Sequence, residues 1–240
     1  MSGLWEHLHA QPVFWLVLTL AAYLLGQFVF QKTKGFPLLS PIIVAVALLV
    51  AVLEISGVSY EEYFAGAQTV HLLLGPATVA LAIPLFDQRA KLACLLIPIL
   101  AGLFVGCLTA IVSVILLGDA FGLSHETLLS MVPKSVTTPI AMGISSALGG
   151  MPDLTAALVV VTGIFGGLVG KYVFAAVHIK SDVARGLGLG LAAHGMGTSA
   201  AFALSPKAGA FGGLAMGGAG IITAFLAPYV AAPLIRWLGL

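Results

Sequence analysis

Five long apolar runs follow one another along the chain, and none of them alternates apolar with polar residues. A run of about 20 residues is long enough to cross roughly 30 Å of hydrocarbon as a helix. Continuous runs favour helices over the strands of a membrane barrel, in which apolar and polar residues alternate. The pattern predicts an all-α polytopic membrane protein, with spans at Val13–Phe30, Phe36–Leu53, Leu92–Leu117, Leu154–Val177 and within Gly209–Leu238.

Three other apolar segments, each followed by a long apolar run, contain glycine, proline, histidine or hydroxyl residues: Val70–Phe86, Ser135–Leu148 and Leu187–Leu204. This order predicts one transmembrane domain (1–240) with about six to eight membrane segments, some of them broken or re-entrant. It comprises N-terminal helices at 13–53 and repeat-like units at about 70–117, 134–177 and 187–238. Ordinary proline-kinked helices without internal symmetry are the alternative to such repeats.

The composition excludes several classes of protein. Hydrophobic residues make up 60% of the chain and charged residues 8%, whereas soluble domains have about 45–50% and about 25%. The net charge of +1 gives no indication of nucleic-acid binding. Two cysteines in one apolar run are interpreted as buried thiols. With no catalytic or metal-binding motif, we expect neither an enzyme nor a cofactor or metal.

The basic residues of the short loops predict an orientation in the membrane. Because lysine and arginine favour cytoplasmic loops, the 31–35 loop is predicted to be cytoplasmic and the N-terminus external. Lys180 and Arg185 are then cytoplasmic only if Ser135–Leu148 is a re-entrant hairpin rather than a full crossing. Basic residues at both ends of the last span leave the side of the C-terminus open.

Lys134, Ser135, Thr137 and Thr138 directly precede Pro139 in otherwise apolar sequence. Proline interrupts the hydrogen-bond ladder of a helix, and the amides at a helix start attract anions. A lysine with three hydroxyls at such a break suits a small carboxylate. The alternative is a lysine that extends to the interface, with hydroxyls bonded to their own helix.

A second cluster comprises His194, Gly195, Gly197 and Thr198. His194 and Thr198 share one face of a helix, and the two glycines predict a break or a close approach of another backbone. His194 is a candidate for relaying a proton in coupled transport. A neutral histidine bonded to a neighbouring carbonyl is the alternative.

A third cluster contains His71, Gly75, Pro76 and Thr78, with Gly75 and Pro76 predicted to break the helix. The small and polar residues at 71, 75, 78 and 82 fall on one helical face, which we expect to point into the protein. Contact with a substrate and simple packing are both consistent with this face.

These clusters resemble known sequences. The segments HLLLGPATVALAIPLFDQ (71–88), PKSVTTPIAMGISSALGGMPDLTA (133–156) and AHGMGTSAAFAL (193–204) are similar to the LrgB/CidB family. The resemblance implies a holin/antiholin-like membrane protein linked to control of murein hydrolases and autolysis, often paired with a smaller LrgA/CidA-type protein. A similar domain in the plastid glycolate/glycerate translocator implies small monocarboxylates, pyruvate among them, as substrates.

One position departs from the family pattern. Ala200 follows Thr198 and Ser199 where the resemblance implies a basic residue. If that basic residue helps to bind a carboxylate, Lys134 must supply more of the contact in this chain.

Two functions are therefore expected. The first is ion-coupled transport of glycolate, glycerate or pyruvate in the bacterial cytoplasmic membrane. The second is an antiholin-like regulator that oligomerises and contacts an LrgA/CidA-type partner, and a channel also remains open. For transport, the predicted substrate-binding residues are Lys134, Ser135, Thr137, Thr138, Thr78, Thr198 and Ser145, with His194 and His71 as proton-coupling groups.

Overall fold

The computed structural model describes residues 11–33 and 39–239, except for the side chains of His71, Leu74 and Thr78. The chain divides into two compact units, Met1–Ala80 and Leu81–Leu240. The described residues of the first unit form α1 (Pro12–Lys32), α2 (Pro41–Ser56), α3 (Tyr60–Leu72) and α4 (Leu74–Ala80). Lys34 and Phe36, which belong to the predicted cytoplasmic loop and second span, lie outside the described residues.

In the first unit, α1 packs against both α2 and α3. Trp15 is only 1% exposed and meets the ring of Tyr63 edge-on at 5.6 Å. Glycine is required at position 66 beside this indole, because a Cβ there would lie only 2.5 Å from the ring. Gly26 similarly permits the start of α2 to approach, since its Cβ would lie 2.5 Å from the Pro41 carbonyl oxygen.

Eight helices form the described part of the second unit. They are α5 (Ala82–Asp87), α6 (Arg89–Cys94), α7 (Leu96–Ala120), α8 (His125–Met131), α9 (Thr138–Leu148), α10 (Pro152–Ala176), α11 (Asp182–Leu204) and α12 (Pro206–Leu238).

By length and composition, α1, α7, α10, α11 and α12 are each able to span a membrane. A bent pair, Tyr60–Val70 with Gly75–Asp87, adds a sixth candidate, and α2 and α9 are shorter apolar helices. No strand occurs within 11–33 or 39–239. The prediction of an all-α polytopic membrane protein is therefore confirmed.

Although α11 has the length of a span, its chain reverses direction at Ala193 and His194, which have non-helical backbone angles. The Ser205 hydroxyl, just beyond α11, donates to the carboxylate of Asp182 at 2.9 Å. A straight helix would separate these residues by about 34 Å. Helix α11 is therefore a hairpin with legs at 182–192 and 195–204 that begins and ends at the same place.

Glycines allow the backbone of this hairpin to pack directly against the backbone of α12. A Cβ at Gly186 would collide with the Ala208 carbonyl, and one at Gly190 with the Gly212 carbonyl. Within the hairpin, a Cβ at Gly197 would collide with the Leu189 carbonyl. Only a residue without a side chain permits these approaches, which are typical of helix packing in membranes.

A second hairpin follows α8, with the turns at 132–137 as its first leg and α9 as its second, and we call it the α8–α9 hairpin. The Ser130 hydroxyl at the end of α8 accepts from the Met151 amide at 2.7 Å, so both ends of this hairpin meet at the start of α10. The Thr155 hydroxyl lies 2.7 Å from that of Ser145, which places α9 antiparallel to α10. The sequence-based prediction of a re-entrant Ser135–Leu148 agrees with this geometry, and the reversal of α11 was not predicted.

The charges of the second unit differ between its two ends. The starts of α7, α11 and α12 share one buried cluster, so they lie at the same end. Another cluster joins the ends of α7 and α12 to α8. The first end contains five basic residues, Arg89, Lys91, Lys180, Arg185 and Lys207, and two acidic ones, Asp87 and Asp182. The second end contains Asp119, Glu126, Asp153 and one arginine, Arg236.

Candidate functional site

The tip of the α11 hairpin lies against the interior of α10. His194, at the tip of α11, has its Nε2 atom 3.0 Å from the Val159 carbonyl oxygen. A Cβ at Gly163, near the midpoint of α10, would lie 2.7 Å from the same ring nitrogen. Because a carbonyl only accepts, Nε2 carries the hydrogen and Nδ1 is left for other contacts.

The start of α9 belongs to the same region. Val136, Ala141 and Ile144 share a buried cluster with the side chain of Val159. Ile140 approaches α12 at Gly220, where a Cβ would lie 2.9 Å from Ile140 Cδ1. Val159 therefore belongs to the same buried cluster as the start of α9, and its carbonyl oxygen accepts from the tip of α11.

Both tips approach α12, so their positions along this helix can be compared. A Cβ at Gly195 would lie 3.8 Å from the sulfur of Met216, and Ile140 lies against Gly220. These positions on α12 are four residues apart, which is about 6 Å along a helix. The hairpins enter from opposite ends of α10, and their tips approach within roughly one helical turn along α12.

The segment before α9 contains polar groups that have no partner among the described residues. Ser135 is 7% exposed, and neither it nor Lys134, Thr137 or Thr138 forms a side-chain hydrogen bond or ion pair with the residues described. Every fully buried polar side-chain atom in that part of the chain is satisfied. The Ser135 hydroxyl therefore reaches accessible space rather than a closed interior.

Backbone amides add to this polarity. The hydrogen bond from the Ala141 amide to the Thr137 carbonyl is the first of α9, so the amides of Thr138 and Ile140 precede the ladder. Pro139 stands in the first turn, where its missing N–H is tolerated. It therefore begins a helix rather than kinks one. The lysine, the hydroxyls and the free amides together form a site suited to an anion.

The other predicted residues have different surroundings. Thr198 donates to the His194 carbonyl at 2.9 Å, and Gly195 begins the second leg of α11, with Gly197 inside it. Ser145 is fully buried beside Thr155. Gly75 and Pro76 lie in α4, at the second and third residues of that helix. The side chains of Thr78 and His71, in α4 and α3 of the first unit, lie outside the described part of the chain.

Sequence reasoning missed Val159, Gly163, Ser130 and Thr155. Their importance comes from contacts between residues that are 21 to 35 positions apart in the sequence. Examples are Ser130 with Met151 and His194 with Val159. A single hydroxyl or small residue in an apolar run carries no local signal of such a contact. The one local signal in α10 is the four-residue spacing of Gly163 with Gly167 and of Gly166 with Gly170, which is typical of close helix packing in membranes.

Comparison with known proteins agrees with the architecture. The model of the LrgB-like family matches residues 19–232. The chain is 40% identical to YwbG and 37% identical to YxaC, both of Bacillus subtilis (strain 168), over 90% of its length and 95% and 93% of theirs. It is 34% identical to the antiholin-like protein LrgB of the same organism, over 90% of this chain and 94% of that one. No solved structure matches.

The family model matches most of the chain, and the relatives named are similar over 90% of its length. The polytopic helical fold agrees with this family assignment. This protein is a multi-pass membrane protein that belongs to the LrgB-like family.

Proposed function

We propose that this protein transports small monocarboxylates of the glycolate, glycerate or pyruvate class across the bacterial cytoplasmic membrane. The observation that carries the proposal is Lys134, which has no partner among the described residues, beside the buried Ser135 just before α9. A charged residue at membrane depth costs about 2.5–3.5 kcal/mol on insertion scales, so such residues are generally functional. Their chemistry here, a cation with hydroxyls and free amides, fits a carboxylate.

The α11 hairpin supplies the other side of the proposed site. Its second leg, 195–204, also begins at the tip, so two helix starts approach the same region. Helix starts carry partial positive charge, and two of them favour an anion between them. Transporters commonly bind substrates between discontinuous helices near the middle of the membrane. Thr198 supports the tip of α11 and Ser145 the base of the α8–α9 hairpin, and the roles of Thr78 and His71 stay predictions.

The test is uptake of labelled glycolate, glycerate and pyruvate by proteoliposomes that contain this chain, with and without a pH gradient. Lys134→Ala should raise the apparent KM about tenfold to a hundredfold or abolish uptake, because hydrogen bonds to charged groups contribute about 1.5–3 kcal/mol. Lys180→Ala, which removes an exposed lysine, is the matched control and should leave uptake unchanged. Normal, saturable uptake by Lys134→Ala would refute the assignment.

A second candidate is an antiholin-like regulator of murein hydrolases that acts as an oligomer with an LrgA/CidA-type partner. The antiholin-like names of several relatives support this function more directly than they support transport. The two candidates differ in their dependence on the polar site. If regulation proceeds through assembly alone, Lys134→Ala should retain the wild-type effect on autolysis of cells that also express the partner. Loss of that effect would link regulation to the site.

A further inference from the structure

A buried cluster of hydroxyls connects the α8–α9 hairpin to α10. Ser130, Ser145 and Thr155 each have an exposed fraction of 0%. The Thr155 hydroxyl lies 2.9 Å from the Ser130 carbonyl oxygen and 2.7 Å from the Ser145 hydroxyl. The Ser130 hydroxyl in turn accepts from the Met151 amide at 2.7 Å. We call these three residues the hydroxyl clasp.

The clasp closes a ring in the chain. Ser130 lies near the end of α8 and Ser145 in the last turn of α9, and the Thr155 hydroxyl lies within hydrogen-bond distance of both residues. The segment 131–144 between them contains Lys134 together with Ser135, Thr137 and Thr138, which are the unpaired groups of the candidate site. The position of the start of α9 therefore depends on the contact that fixes both ends of this ring.

Gly150 packs closely against the clasp. A Cβ at Gly150 would lie 2.7 Å from the Ser145 hydroxyl and 2.8 Å from the Ser130 amide nitrogen. The Met151 carbonyl oxygen of its own helix lies 3.0 Å from the same Thr155 hydroxyl, so three acceptors share the single hydrogen of that hydroxyl. In a buried apolar environment, a lost partner is not replaced by water, so the paired geometry is strongly favoured.

We infer that Thr155 is a positioning residue for the carboxylate site, acting through the ring that it closes rather than by contact with the substrate. The inference rests on the proposed function for its effect on transport, and on the structure alone for its effect on the hairpin. Thr155 itself lies outside the segment that contains the candidate ligands.

The test compares Thr155→Val, which keeps the shape and removes the hydroxyl, with Thr155→Ser, which keeps the hydroxyl. Thr155→Val should raise the apparent KM between about threefold and about fifteenfold, the range that measured interhelical hydrogen bonds in membranes imply. The maximal rate should change much less, and Thr155→Ser should behave as wild type. The control is Thr109→Val, because Thr109 is exposed and bonds only to Val105 of its own helix.

A second measurement is independent of transport. Hydrogen–deuterium exchange of the reconstituted protein should be faster in peptides covering 131–148 for Thr155→Val, with no change in α12 and none for Thr155→Ser. Unchanged exchange in Thr155→Val, or equal KM increases in the valine and serine variants, would overturn the inference. Faster exchange at 131–148 in a protein whose wild type takes up no acid would support the clasp and refute the transport proposal.

Discussion

His194 has backbone angles of φ 42° and ψ −126°, which a residue with a side chain rarely adopts. Two contacts hold the tip in this conformation. The His194 ring bonds to the Val159 carbonyl, and the Thr198 hydroxyl donates to the His194 carbonyl. Strained backbone of this kind costs about 1–3 kcal/mol and occurs at functional sites when its surroundings determine it. At the residue scale, the hairpin tip is therefore maintained by contacts and not by local preference.

The strain predicts an order of stability for two variants that both lose the ring. His194→Gly should be more stable than His194→Ala by about 1–2 kcal/mol, because only the alanine retains a Cβ at positive φ. The order is measured by thermal unfolding in detergent. Ala184→Gly, at an exposed helical position, is the control and should be destabilising, since alanine is the better helix former. Equal or greater stability of His194→Ala would show that the tip is unstrained.

At the element scale, the contact between α11 and α12 depends on backbone meeting backbone. Gly186 and Gly190 lie one helical turn apart on the first leg, and each faces a carbonyl of α12. Lipid provides no hydrophobic force between helices, so close packing of small residues supplies much of their attraction. The hairpin is held along its whole first leg and not only at its tip.

Gly190→Ala should therefore destabilise the protein by about 1–3 kcal/mol, the usual cost of overpacking, because the new Cβ meets the Gly212 carbonyl. Gly217→Ala on α12 is the control, since nothing lies within 4 Å of a Cβ there. It should be neutral or stabilising, because alanine favours a helix. The stability of both variants is measured by the melting temperature and by the monodisperse fraction after detergent extraction. Tolerance of Gly190→Ala would contradict the close contact.

At the scale of the whole molecule, the second unit combines two hairpins that enter from its opposite ends with charges that distinguish those ends. Five basic residues lie at the end where α7, α11 and α12 begin, and three acidic residues lie at the other. The positive-inside rule assigns the basic end to the cytoplasm. The α11 hairpin then enters from the cytoplasmic side and the α8–α9 hairpin from outside.

This orientation predicts an external C-terminus. Alkaline phosphatase fused after residue 239 should be active, whereas a fusion at residue 180 should be inactive, because the enzyme folds only outside the cytoplasm. Green fluorescent protein at the same positions should give the opposite pattern. Fluorescence from the C-terminal fusion would show that the second unit has the reverse orientation.

Hydrophobicity alone determined the all-helical membrane fold, because a span must satisfy its own backbone hydrogen bonds and be long enough to cross the lipid. The long helices follow the predicted spans to within about four residues at most described ends. The cluster at Lys134 was also evident locally, since a cation with hydroxyls beside a proline is rare in apolar sequence.

Only the tertiary structure decided that α11 reverses, that the two tips approach each other along α12 and that Thr155 closes a ring. A reversal and a kinked crossing have the same apolar composition, and contacts such as Asp182 with Ser205 are distant in sequence. The same contacts decided which loops share an end, and thereby the predicted side of the C-terminus. The sequence specified which segments enter the membrane, and packing between those segments specified where each of them turns.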